Sequence, residues 1–319
     1  MAYLLHIASI MFPVFALIGA GFAYGRRRKV DVKFTAEIII FLLAPALMFD
    51  SLARQHIAAG DFLRAVGLSL AIQIIPGAAA LAIRRAAGIR PRAFVPSVMI
   101  MNTVTLPYPL ALLAFGEEGL AQVVLLSIPN VFLVFTLGIT LHGGRSQASE
   151  PLRMPALYTS AAGILVSLLA LPVPAFLLGF THLAGRGMFP LELFSLGYRL
   201  RSIRISDIRL SLLTAGLRFA LGFATAWALS RAFALEGIAR AALFLVSTSP
   251  PAVLNYVFSE RYGDEGPLTA SIVFTGTALS MITTPLVLLY LTLTWGGSPL
   301  RLPPQPEPDG LGEIPAEQD

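Results

Sequence analysis

Long apolar runs separated by short polar stretches set the pattern of this 319-residue chain. The runs fall at about 3–25, 34–53, 62–83, 93–115, 119–141, 155–171, 174–198, 210–230, 239–261 and 267–295. Each is long enough to cross the hydrocarbon core of a bilayer as a helix. The pattern predicts an all-α, polytopic membrane protein with ten transmembrane helices. A polar connector at 142–154 divides the first five from the last five, and 299–319, rich in proline, glycine and acids, reads as a disordered tail.

Two of these runs depart from a plain helix. The stretch 102–119 reads NTVTLPYPLALLAFGEEG, and 249–266 reads SPPAVLNYVFSERYGDEG. Each carries two prolines, Pro107 and Pro109 in the first and Pro250 and Pro251 in the second, and each ends in aromatic-Gly-acid-acid-Gly. A proline inside a membrane helix removes a hydrogen bond. That is costly in lipid unless the freed backbone groups line a polar cavity. Paired interrupted segments in corresponding halves mark the binding site of a secondary transporter. The terminal motif recurs at an offset of 147 residues, and Pro45 and Pro190 repeat at an offset of 145. Residues 1–141 and 155–298 therefore read as two copies of a five-helix unit. Five is odd, so the second copy enters the membrane inverted.

Composition agrees. Hydrophobic residues make up 56% of the chain and charged residues 13%, against about 25% charged in soluble domains. The net charge of +5 lies in loops between apolar runs, which argues for membrane orientation and against nucleic acid. With the N-terminus outside, inner loops hold 16 of the 23 Lys and Arg residues and outer positions 5. The reading is N-out and C-out in the cell (inner) membrane, with the first run retained as a helix. There are no cysteines, which excludes thiolate chemistry.

Candidate chemistry concentrates at the two breaks. Asn102, Thr103 and Thr105 precede the first, Thr248 and Ser249 precede the second, and Asn255 follows it by about a turn. With Pro107, Pro109, Pro250 and Pro251, these form the expected substrate-binding set. Resumed half-helices offer free N–H groups and a partial positive charge to an anion. Ionisable residues inside spans are costly and functional by default. Glu192, two residues past Pro190, is the expected ion-coupling group, and Asp50 is the second. Arg186 is read either as the cation for an organic acid or as a partner of Glu192. Asp50 is also placed to pair with Arg54, His182 reads as structural, and Arg218 reads as snorkelling inward. The four histidines are scattered, so no metal and no cofactor is expected beyond coupling H⁺ or Na⁺. No Walker loop, GxSxG or HExxH appears, and the chain does not read as an enzyme.

The stretches PALMFDSLA, NTVTLPYPLALLAFGEEGL, FPLELFSLGYRL and SPPAVLNYVFSERYGDEG, in this order and spacing, resemble the auxin efflux carrier family in its bacterial form. Arg186, Glu192 and Tyr108 stand where small or apolar residues are more usual. The resemblance implies ten helices with helices 4 and 9 broken and crossing. It also implies transport of organic anions, auxin-like acids or dicarboxylates such as malate. The alternatives are a Na⁺-coupled carrier of the bile-acid symporter type and a polytopic intramembrane enzyme. The expected partners are a small organic anion and the bilayer; a homodimer is left open.

Overall fold

A computed structural model describes residues 2–31, 33–145, 151–203 and 205–294. The expected tail at 299–319 and the middle of the connector lie outside the described residues. Helices occur where the apolar runs predict them: α1 (Ala2–Arg27), α2 (Lys33–Ile38), α3 (Ala44–Ala53), α4 (Ala59–Ala86), α5 (Phe94–Met99), α6 (Pro107–Leu133), α7 (Ile139–Leu141), α8 (Pro155–Leu168), α9 (Ala175–Leu200), α10 (Ile208–Ala232), α11 (Gly237–Ser247), α12 (Val253–Tyr262) and α13 (Gly266–Thr294). The protein is an all-α polytopic membrane protein. Among the described residues, six helical segments are long and apolar enough to cross a bilayer, and α8 and α11 are shorter apolar helices.

Several irregularities follow from single residues. A π-helical turn, Ile39–Leu43, joins α2 to α3 directly before Pro45. The extra residue in that turn accommodates a ring that would clash with the carbonyl four residues back. Gly116 interrupts α6 with φ 72° and ψ −160°, a conformation that favours glycine. It bends the chain within the motif Phe115–Gly119.

Packing sorts the helices into two groups. α1 packs along α9, and α3 packs on α8 and α9. The second group holds α4 and α5, α6 against α11, and α10 against α13 and α4. The pairing is reciprocal: the first helix of the leading half packs on the second of the trailing half, and α8 returns the arrangement on α3. The two breaks, one between α5 and α6 and the other between α11 and α12, meet in the second group and face α9 of the first.

Candidate functional site

The breaks satisfy one another. Met101 and Pro251 form an isolated antiparallel bridge. The N–H of Asn102 donates to the Pro250 carbonyl at 2.8 Å, and that of Ala252 to the Ile100 carbonyl at 3.0 Å. Asn255 is fully buried, and its Nδ2 donates to the Ile100 carbonyl at 3.0 Å. The expectation that the prolines free N–H groups for an anion is thus corrected in part. Proline has no N–H to free, and the neighbouring groups pair across the crossing, as buried backbone must. Asn102 Oδ1 accepts from Thr105 N–H at 3.1 Å, closing the turn before α6. No side chain caps the first turn of α12, and none caps that of α6.

Beside the crossing lies a cavity of about 290 Å³. The second helix group contributes Asn102, Thr103, Thr105 and Asn130, together with Val253 and Leu254 from the uncapped start of α12. Helix α9 faces them with Glu192, Ser195 and Arg199. Thr105 Oγ1 donates to Glu192 Oε1 at 2.9 Å, a bond from one group to the other. Asn130 Nδ2 donates to Thr103 Oγ1 at 2.9 Å, while its Oδ1 is buried without a partner. A second cavity of about 430 Å³ shares Leu196, Arg199, Val253 and Val257 with the first. It runs on past Ser202, Ile203, Glu260 and Pro267.

Of the residues singled out in the sequence, Asn102, Thr103, Thr105 and Glu192 line the cavity. The others sit elsewhere. Pro107 and Pro109 are buried in the first turn of α6. Pro250 and Pro251 are buried in the crossing. Thr248 and Ser249 return their hydroxyls to the carbonyls of Phe244 and Leu245, at 2.7 and 2.9 Å. Asn255 lies behind the break. Arg186 pairs with Glu117 at the Gly116 bend and not with Glu192. Asp50 is held by Arg54 at 2.7 Å, His182 at 3.0 Å and Thr181 at 3.2 Å, an anchor between α3 and α9. Arg218 does not snorkel; it is fully buried. Three polar cavity residues, Asn130, Ser195 and Arg199, escape the sequence reading. Asn130 was legible as an amide directly after Pro129 in an apolar run, whereas Arg199 looks like any loop charge until α9 is seen to end at the cavity mouth.

His142 follows α7, beyond the apolar span, and is buried. Its Nε2 faces Asn255 Oδ1 at 3.4 Å. Burial pushes this imidazole below the usual histidine range, against smaller raising effects from Asn255 and Glu265. The unfolded chain therefore takes the proton first on acidification, so the contribution of neutral His142 is complete above the ordinary imidazole range and is lost below it. The melting midpoint in detergent is expected to fall as pH drops below about 6.5, and His142→Gln is expected to flatten that fall. An equal slope in the variant would contradict this role.

Residues 149–288 match the family model described as membrane transport protein. An uncharacterized transporter of Methanocaldococcus jannaschii is 28% identical over 194 residues, covering 58% of this chain and 63% of the relative. An uncharacterized transporter of Methanothermobacter thermautotrophicus is 25% identical over 269 residues, covering 80% of this chain and 88% of the relative. By these matches and its apolar helices, the chain is similar to membrane transport proteins.

Proposed function

We propose that this membrane transporter is a secondary carrier of small organic anions, carboxylic acids above all, working by alternating access between its two helix groups. Two inverted five-helix repeats, 1–141 and 155–298, make ten crossings of the cell inner membrane with both termini outside. The reciprocal packing of α1 on α9 and α8 on α3 supports that arrangement. The observation that carries the substrate class is the cavity itself. Hydroxyl and amide donors and the uncapped start of α12 stand on one side, with Arg199 at the mouth. Donors of this kind favour a carboxylate, and a charge-assisted hydrogen bond is worth roughly twice a neutral one. The volume suits a small molecule.

Glu192 is the coupling group in this reading. It sits on α9 and bonds Thr105 across the cavity. Movement of one group past the other must break that bond, so the protonation of Glu192 and the position of the crossing are linked. The second cavity leads from the first past Ser202, Glu260 and Pro267, on the side that the Lys and Arg distribution makes the inner one in this reading. On the opposite side, Arg186 and Glu117 join α9 to α6. An ion-gradient-driven carrier needs both closures in alternation.

Binding is tested by thermal shift in detergent with malate, succinate and indole-3-acetate. Wild-type protein is expected to be stabilised by at least one of them, since a ligand that binds only the folded state raises the midpoint by mass action. Asn102→Ala is expected to weaken that response about tenfold in apparent affinity, the loss of roughly one hydrogen bond to a charged group. Stabilisation by none of the carboxylates, or an equal response in the variant, would contradict the assignment.

A further inference from the structure

Arg218 is the largest fully buried side chain among the described residues, on α10 in the second helix group. No carboxylate lies within ion-pair distance of it among the described residues. Its Nη1 donates to the Val98 carbonyl at 2.6 Å, and its Nη2 donates to the Ser247 carbonyl. Met101 Sδ lies 3.7 Å from Nη2, and Nε has no partner. The placement of the two carbonyls is specific. Val98 is in the last turn of α5 and Ser247 ends α11. These are the C-terminal ends of the two half-helices that run into the crossing. Their last carbonyls have no helical partner and carry the negative end of the helix dipole. Ser247 Oγ donates to the Gly222 carbonyl at 2.8 Å, and a Cβ on Gly222 would lie 2.0 Å from the Ser247 carbonyl oxygen. Glycine one turn beyond Arg218 therefore lets α10 come close enough for the guanidinium to reach both helix ends.

In broken-helix carriers, half-helix C-termini and unwound carbonyls are where a coupling Na⁺ is coordinated. We propose that Arg218 is a tethered cation that occupies this position, so that the crossing is neutralised by the chain itself and takes no Na⁺ there. Arg218 is a positioning residue: it holds two half-helix ends together behind the cavity and does not touch the substrate. The proposal rests on reading the breaks as a carrier's crossing, but its test reads cation binding and not transport, so the two can fail separately.

The test is the melting midpoint of the full chain in detergent, in NaCl and in N-methyl-D-glucamine chloride at equal ionic strength. Wild type is expected to show the same midpoint in both. Arg218→Ala is expected to lose on the order of 10 °C in the large-cation salt, because two buried carbonyls and the helix ends lose their only cation. Na⁺, or sub-denaturing guanidinium, is expected to restore about half of that loss by filling the vacated position. Arg218→Gln, which keeps hydrogen-bond donors without the charge, is expected to gain the same Na⁺ response, and Arg218→Lys to show none. A merely structural arginine would give variants that are destabilised alike in both salts. That result, or specific stabilisation of wild type by Na⁺, would overturn the proposal. If Arg218→Ala does not fold, the contrast between the Gln and Lys variants decides it.

Discussion

Glu192→Gln is expected to abolish the accumulation of carboxylate driven by a pH gradient while leaving downhill exchange in place. The substitution keeps the volume of the side chain and a hydrogen bond to Thr105, which lies 2.9 Å from the carboxylate, so the fold and the cavity wall persist. What it removes is the ability to bind and release a proton. One proton moving with each anion down a gradient of one pH unit supplies about 1.4 kcal/mol, or up to about tenfold accumulation. In the variant the ratio should fall to about one. The carboxyl stands on α9 and its partner on the other helix group, so it senses which side the crossing faces. An acid buried within one group would have no such access. Uptake by Glu192→Gln with the wild-type dependence on the pH gradient would remove Glu192 from the coupling step.

The second large effect is on folding. Gly197→Val should prevent the protein from being recovered as a folded, monodisperse species. A Cβ at Gly197 would lie 1.9 Å from the carbonyl oxygen of Ile18, and one at Gly21 would lie 2.0 Å from that of Phe194. Helices α1 and α9 therefore touch backbone to backbone at two reciprocal glycines. Close approach of this kind, built on small residues, is how membrane helices gain packing energy where lipid offers no hydrophobic drive. The obstacle to a larger side chain is main chain, which cannot rotate away. The cost is about 3 kcal/mol or more, the upper end of overpacking penalties. Gly19, two residues before Gly21, would bring its Cβ within 4 Å of nothing, so Gly19→Val should behave like wild type. Thermal midpoints and size-exclusion profiles of the two variants separate the explanations. Equal behaviour would show that helix propensity, and not the contact, is at stake. Because α9 carries Glu192, this packing also fixes one wall of the cavity.

Much of this architecture was legible in the order of apolar runs and prolines. The doubled prolines at Pro107/Pro109 and Pro250/Pro251 located the breaks, and Asn102, Thr103, Thr105 and Glu192 all reach the cavity. What pattern alone could not supply is the partner of each polar group. Asn255 sits about a turn past its break, as Asn102 sits near the other, yet one faces the cavity and the other is buried against Ile100 and His142. Helical rotation decides that difference, and the spacing from a proline does not. Arg186 lies six residues from Glu192, which sets the two about 120° apart around α9, and the bend at Gly116 brings Glu117 to Arg186. Arg199 reads as an inner-loop charge because span ends are blurred by a few residues in sequence; the position of α9 puts it at the junction of both cavities. Arg218 shows the limit most clearly. A lone arginine in an apolar run suggests snorkelling, and only the meeting of two half-helix ends from distant parts of the chain explains its burial.

The central claim is that a carboxylate crosses the membrane through the cavity between α9 and the crossing. The most direct measurement is uptake of radiolabelled malate, succinate and indole-3-acetate into proteoliposomes, with pH and Na⁺ gradients imposed separately. Saturable uptake of at least one carboxylate is expected, accumulated when a pH gradient is applied and unaffected by replacing Na⁺. Uptake that strictly requires Na⁺, or no uptake of any carboxylate by folded protein, would contradict it.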